Sequence, residues 1–304
     1  MSGQKDNKSD VGWKGKTRGG LFGYRFFIAL INLAGVKAAY AFLCLVVIYF
    51  IPFAPAATRS VWQLAHRLGY GFLKSTLLLF RNYYSLGRIL IDNVALGEGK
   101  KDAYHFHFGE NYPDFLKLLD SGKGVVLISA HVGNWEIGAP FFSDYGKKMN
   151  IVIFDAEYQK IKKLLEAHRK EQDYKFIPIN NDSLAHVFLI KDALDRSEYV
   201  CFQGDRHVAG SQVLHTEFLG KEAAFPAGPF LLAAKMQAPV VFYFALREKG
   251  MSYSFNFVIA QPVVKGNGIR PEQQLLEQYR SLLEKIARKY PEQWFNYFDF
   301  WKAI

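Results

Sequence analysis

Cysteine is nearly absent: the 304 residues hold two, Cys44 and Cys201, both in apolar surroundings and far apart in the chain. That scarcity argues against a disulfide framework and for a reducing, cytoplasmic setting. No Cys-x-x-Cys and no His-Glu-x-x-His spacing occurs, so the usual zinc sites lack their ligand pattern. No Gly-x-Ser-x-Gly elbow is present either, which disfavours a serine hydrolase. Acid is in deficit, with 28 Asp and Glu against 38 Lys and Arg, and the net charge of +10 implies anionic partners. Zinc-finger and glycine-rich RNA-binding signatures are missing, so no nucleic acid is expected. Anionic membrane lipids or an acidic carrier protein are the remaining candidates. A chain of this length can bury a substantial core, and its 16% aromatic content suits contact with lipid or acyl chains as well as an aromatic-rich interior.

Charge also vanishes locally. Residues 1–25 are polar and basic and read as a tail, but from Phe26 to Thr58 the only charged residue is Lys37. Ala38 to Phe50 is continuously apolar or aromatic. A spanning helix needs about 20 apolar residues. The window from Phe26 to Ile51 meets that length if Lys37 snorkels or faces protein, with Pro52 and Pro55 ending the helix. Three readings stay open: a span, a re-entrant or interfacial anchor, and a buried core helix. Basic residues flank both ends, so the positive-inside rule sets no orientation. The expected organisation is a tail (1–25), a hydrophobic anchor (26–58), and a helical lead-in plus α/β domain (59–304).

From Val61 to Ile91 a helical period continues, with Arg67, Lys74, Arg81 and Arg88 spaced seven apart. They form either an amphipathic face toward an anionic interface or an ordinary solvated face. Beyond Lys100 strand and helix patterns alternate. Strands are predicted at Val125–Ala130, Ile151–Phe154, Tyr199–Gln203, Pro239–Leu246 and Ser254–Ile259. Helices are predicted at Pro113–Leu119, Tyr158–His168, Leu184–Leu194, Pro226–Met236 and Glu272–Tyr290. This alternation predicts an α/β fold with a largely parallel central sheet flanked by helices.

The strand Val125–Ala130 runs directly into His131, and Gly133 and Asn134 open what reads as a helix. Ligands collect at the carboxyl ends of strands in open α/β sheets, and a histidine there can serve as a general base. It needs a carboxylate to hold its tautomer, and Glu136 is the nearest. An ideal helix would set the two apart, so the pairing requires His131 to sit in the turn before the helix. A capping or core histidine is the plainer reading of the bare spacing. A rival set of His105, His107, His131, His207 and His215 with Glu110 and Glu136 would make a metal-dependent hydrolase, and a non-catalytic membrane scaffold is a third alternative.

The segment Ser129-Ala130-His131-Val132-Gly133-Asn134-Trp135-Glu136 closely resembles the His-x4-Asp/Glu block of the lysophospholipid acyltransferase superfamily. It is most similar to the branch of bacterial lipid A biosynthesis (late) acyltransferases. Gln203-Gly204-Asp205-Arg206, Phe218-Leu219-Gly220-Lys221 with Phe225-Pro226-Ala227-Gly228-Pro229, and Ala238-Pro239-Val240-Val241 resemble the later blocks, in the family's order. Ala227 stands where glycerophosphate acyltransferases carry Glu, which speaks against a glycerol-phosphate acceptor.

The resemblance implies transfer of an acyl chain from an acyl carrier protein or coenzyme A thioester to a hydroxyl or amine of a membrane lipid or glycolipid. No cofactor is implied beyond the acyl-thioester co-substrate, and no metal. The catalytic domain is expected on the cytoplasmic face of a bacterial inner membrane. His131 is implied as base with Glu136 orienting it, and backbone amides near Gly133 and Asn134 as oxyanion donors, with a helix N-cap as the competing role for Asn134. Arg206 is implied to hold a phosphate or pantetheine group with Asp205 orienting it, a surface ion pair being the alternative, and Lys221 and Gly228 to line the acceptor side. The aromatic end (Trp294, Phe295, Tyr297, Phe298, Phe300, Trp301) is expected to pack in the core or sit at the interface.

Overall fold

The apolar stretch near the start of the chain does not run as one rod. A computed structural model describes residues 20–138, 142, 146–154, 174–179, 184–208, 210–264, 266 and 268–301. Helix α1 (Gly20–Ala34) begins inside the segment expected to be tail, and α2 (Val36–Phe50) follows after Gly35 alone. Gly35 has φ +82°, a left-handed conformation that glycine adopts without a Cβ penalty. The chain doubles back there, so that Phe42 packs against Phe26 and Phe27 at ring separations of 4.9 and 6.1 Å. The single long helix over Phe26–Ile51 is thus corrected to a helical hairpin. Its second arm, with the turn after it, gives an 18-residue apolar run, Val36–Phe53, long and apolar enough to cross a membrane.

Helix α2 buries Val36, Ala39, Leu43 and Val47 at helical spacing. That face lies on α4 (Phe72–Gly97), where Leu43 fills the space a side chain at Gly87 would need. The opposite side leaves Leu45, Ile48 and Tyr49 more than three-fifths exposed. A short 3-10 turn at Ile51–Phe53 ends α2 where the prolines were expected to, and Pro55 starts α3 (Pro55–Arg67). The period expected to continue from Val61 to Ile91 is broken at Gly69, φ +73°. Arg67 therefore lies on α3 while Arg81 and Arg88 lie on α4. Arg88 turns inward over the Tyr84 ring, so the four basic residues do not form one face.

The remaining elements are β1 (His105–Phe108), α5 (Tyr112–Asp120), β2 (Val125–Ser129), β3 (Met149–Phe154), β4 (Tyr174–Ile179), α6 (Ala185–Asp195), β5 (Tyr199–Gln203), β6 (Val213–Phe218), β7 (Lys221–Pro226), α7 (Ala227–Met236), β8 (Val240–Arg247), β9 (Ser252–Ile259) and α8 (Pro271–Lys289). Seven strands form one sheet in the order β1-β9-β8-β2-β5-β3-β4. Strands β8, β2, β5, β3 and β4 run parallel, and β9 turns back antiparallel to β8 with β1 parallel to β9. The largely parallel α/β sheet is as the alternation predicted. Strands β2 and β8 are buried along their whole length, which is why they read as unbroken apolar runs.

Strands β1 and β4, which the apolar pattern did not reveal, are the two sheet edges. Edge strands need less apolar character, and an edge tolerates Pro178 within β4. The helix predicted at Tyr158–His168 lies outside the described residues. Strands β6 and β7 make a separate hairpin, turned by Leu219 and Gly220 at φ +52° and +74°. Its Phe218 packs against Trp294, Phe300 and Trp301. Trp294, Phe295, Phe300 and Trp301 are buried, so much of the aromatic C-terminal segment is core.

Candidate active site

Strands β2 and β5 are parallel neighbours in register, Ser129 opposite Gln203. The ladder continues one step further, Gly204 N–H donating to the Ser129 carbonyl at 2.8 Å. Tyr279 of α8 also donates its hydroxyl to that carbonyl, at 2.9 Å. A side chain at Gly204 would collide with Ile128 and Tyr279, so the close approach requires glycine. Immediately beyond these paired ends stand His131 and Asp205, side by side although 74 positions apart in the chain.

His131 Nδ1 lies 2.8 Å from Asp205 Oδ1, and the His131 backbone N–H sits 3.1 Å from both carboxylate oxygens. Trp294 Nε1–H donates to Oδ2 at 3.0 Å. Asp205 is fully buried, whereas the His131 side chain is 30% exposed. Among the described residues the other ring nitrogen, Nε2, has no protein partner. Burial is the largest influence on Asp205 and opposes its charge. The charge and hydrogen bond of His131, with Arg206 and Trp294, outweigh it and hold the carboxyl below its ordinary pKa. An ionised Asp205 requires a proton on Nδ1 and leaves the Nε2 lone pair facing outward.

Glu136, expected to orient His131, is not on that ring. It falls in a 3-10 turn, Trp135–Gly138, rather than in a full helix within the described residues. Its Oε2 accepts from Asn93 Nδ2 at 2.9 Å. Part of its side chain reaches solvent, yet protein packs around the carboxyl, and this desolvation raises its pKa. The separation has a local cause. Gly133, at φ +61°, swings the chain away from the strand direction, and a Cβ there would meet the Ala245 carbonyl.

The two backbone amides expected to face a substrate oxygen make bonds within the protein. Gly133 N–H donates to the Gln293 carbonyl at 2.9 Å and Asn134 N–H to that of Ala245 at 2.8 Å. The Asn134 side chain is buried, donating to Asn93 Oδ1 at 2.6 Å and approaching Tyr253 Oη at 3.5 Å. It braces α4 against the sheet.

Asp205, expected to orient Arg206, carries the His131 ring on its carboxylate, with the Arg206 charge also favouring its ionised form. Arg206 Nη2 donates to the Phe295 carbonyl at 3.0 Å, and Phe295 N–H donates to the His131 carbonyl at 2.8 Å. These links place Arg206 within the same cluster. Lys221 is exposed at the start of β7, facing α3, and Gly228 is exposed in the first turn of α7 with open space around it. Neither is tied to His131.

A second buried network lies behind the site. Asp92 on α4 takes Arg247 Nε at 2.8 Å and Tyr104 Oη at 3.0 Å, and further accepts the hydroxyls of Tyr40 and Tyr253. Arg247 N–H donates to Gln293 Oε1 at 2.9 Å, and Gln293 in turn carries the Gly133 amide. Tyr40 belongs to α2, so the helical hairpin is fastened to the loop that presents His131. Sequence reasoning passed over Asp92, Asn93 and Arg247. The available signal was Asp92 itself, an acid on the apolar face that also carries Ser85 and Ile89. Among the described residues no three His, Cys, Asp or Glu side chains come together as metal ligands, so the proposed histidine cluster does not assemble there.

A protein-family model described as bacterial lipid A biosynthesis acyltransferase matches residues 79–303, about three quarters of the chain. A phosphatidylinositol mannoside acyltransferase from Mycolicibacterium smegmatis is 25% identical over 121 residues, 40% of this chain. The match spans 39% of that protein's length.

Proposed function

From the His131–Asp205 pair we propose how this chain, which belongs to the bacterial lipid A biosynthesis acyltransferase family, works: it moves an acyl group from a thioester to a lipid or glycolipid hydroxyl or amine. The acceptor's O–H or N–H gives its proton to His131 Nε2 as its heteroatom attacks the thioester carbonyl. Asp205 keeps Nδ1 protonated and offsets the charge the ring acquires. When the tetrahedral intermediate collapses, the C–S bond breaks and His131 returns the proton to the departing thiolate. The new ester or amide and a free thiol result, with no net change in protonation. The donor is an acyl carrier protein or coenzyme A thioester.

The observation that carries this reading is the buried carboxylate on Nδ1 with Nε2 free and reachable. Glu136, one turn further on, is in this reading a loop-shaping residue held by Asn93. The exposed side of α2, together with exposed Leu33 of α1 and Phe53 of the turn after α2, supports residence at a membrane, and the expected place is the cytoplasmic face of a bacterial inner membrane. The deciding experiment is mass spectrometry of lipid extracts from cells carrying the wild-type or the His131→Ala protein. A lipid heavier by one acyl chain only in the wild type identifies acceptor and chain together. Identical lipid profiles would count against acyl transfer.

A further inference from the structure

One open cleft of about 300 Å³ lies away from His131, between α3, the tip of the β6–β7 hairpin and the C-terminal segment. Arg59, His66 and Arg67 line it from α3, Lys221 from the hairpin, and the indoles of Trp62 and Trp301 complete the walls. Arg59 and His66 lie seven apart and Arg59 and Lys221 come from different elements, so the convergence is tertiary. None of the four basic groups makes an ion pair among the described residues, although the protein pairs many of its surface charges. Of the nearby carboxylates, Glu222 pairs with His215 at 3.1 Å, and Asp299 accepts from the neutral Gln63 amide at 2.8 Å and so offsets only part of this positive charge. The Arg67 guanidinium is held over the Trp301 ring, 5.9 Å from its centroid.

A surplus of cations gathered in a concave site calls for an anion, and two guanidinium forks with a lysine match a phosphate better than a single carboxylate. The rim says what the phosphate is attached to. Trp62 packs on Phe72 at 5.6 Å, and Phe72, Leu73 and Leu77 of α4 are 73%, 83% and 53% exposed. A basic cleft thus opens beside an exposed apolar strip, the layout that a phosphorylated amphiphile would satisfy at both ends. On the other side Trp301 meets Trp294 at 6.1 Å, and Trp294 holds Asp205. The cleft is one pair of indoles removed from the carboxylate that holds His131.

We infer that this cleft is a phosphate-ester site that takes the headgroup phosphate of an amphiphilic ligand, with the ligand's apolar part along Phe72, Leu73 and Leu77. In taking that ligand to be a substrate the inference rests on the acyl-transfer reading. As a binding site it stands without it, and binding is therefore measured without turnover. Full-length protein in a neutral detergent is titrated calorimetrically with dihexanoyl phosphatidic acid, with inorganic phosphate and with dihexanoyl phosphatidylcholine, whose phosphate is masked by choline. The same titrations are run on Arg59→Gln/Arg67→Gln and on a charge-matched control, Lys235→Gln/Lys285→Gln, at exposed positions on α7 and α8.

The expected result is saturable binding of phosphatidic acid by wild type and control, weakened at least tenfold in the Arg59/Arg67 variant. If inorganic phosphate binds equally well, the phosphate site stands and the lipid source falls. Equal binding by all three proteins, or none by any, overturns the proposal. An unchanged thermal midpoint in the variant identifies any loss as local. Should wild-type protein transfer no acyl group, the reading of its activity fails while these titrations still decide the cleft.

Discussion

Replacing Asp205 with Asn tests the proposed chemistry at its centre. The substitution keeps size and shape but removes one acceptor oxygen from a site that uses both: His131 Nδ1 on Oδ1, Trp294 on Oδ2 and the His131 amide on both. If the Asn oxygen stays with Trp294, its NH2 faces Nδ1, which must then accept. The ring proton moves to Nε2, and the base is lost without displacing an atom. Carboxylates in this position are worth about 10⁴-fold in turnover in other enzymes, or about 5.5 kcal/mol of transition-state stabilisation.

Folding should suffer less. The lost interactions are charge-assisted hydrogen bonds of about 1.5–3 kcal/mol each, partly regained by the amide and by relief from burying a charge. The assay is acyl transfer under single-turnover conditions, alongside urea unfolding. Asp205→Asn should fall about 10³-fold or more while remaining folded, and the double variant His131→Ala/Asp205→Asn should be no slower than His131→Ala alone. Asp205→Asn turnover within tenfold of wild type, with collapse on Glu136→Gln instead, would falsify the assignment of Asp205 and restore Glu136.

Glu136→Gln should keep its bond from Asn93, because the amide oxygen still accepts. The pKa of Glu136 is raised in the fold, so its protonated form is favoured and its ionisation costs stability as pH rises through that value. The variant should therefore match or exceed wild-type stability at pH 8, and the two urea midpoints should converge below the ordinary glutamate value of about 4.5. Gly133→Ala faces both a left-handed φ and the Ala245 carbonyl. It should lose about 1–3 kcal/mol or more, measured by denaturant unfolding, and abolish transfer; wild-type behaviour would mean that the loop has an alternative conformation. Leu45→Asp/Ile48→Asp places charge on the exposed side of α2. Flotation with vesicles should show weaker membrane association and an unchanged thermal midpoint, and unchanged flotation would remove α2 from the membrane contact.

Much of this protein is readable from local pattern. Strand β5 falls at the predicted Tyr199–Gln203, and β2 within one residue of its predicted end, because central parallel strands must be apolar on both faces. The place of His131 was legible for the same reason, because it directly follows such a strand. The prolines after α2 likewise mark a helix end by steric rule alone. What local pattern did not decide was each partner that comes from another element. Glu136 is five positions from His131 and was the nearest acid in sequence, but Gly133 turns the chain between them.

Asp205 is chosen by the pairing of β2 with β5, and its buried charge is made tolerable by Trp294 from the far end of the chain. The amides of Gly133 and Asn134 looked available because nothing nearby in sequence uses them, and only the packed sheet and C-terminal segment occupy them. Apolar periodicity similarly marked Phe26–Ile51 as helical, while Gly35 and the fit of α2 on α4 decided that it folds into a hairpin. Sequence alone determines which residues prefer to be buried, extended or helical. Which carboxylate meets which imidazole depends on strand order and register, and those emerge only when the whole core is packed.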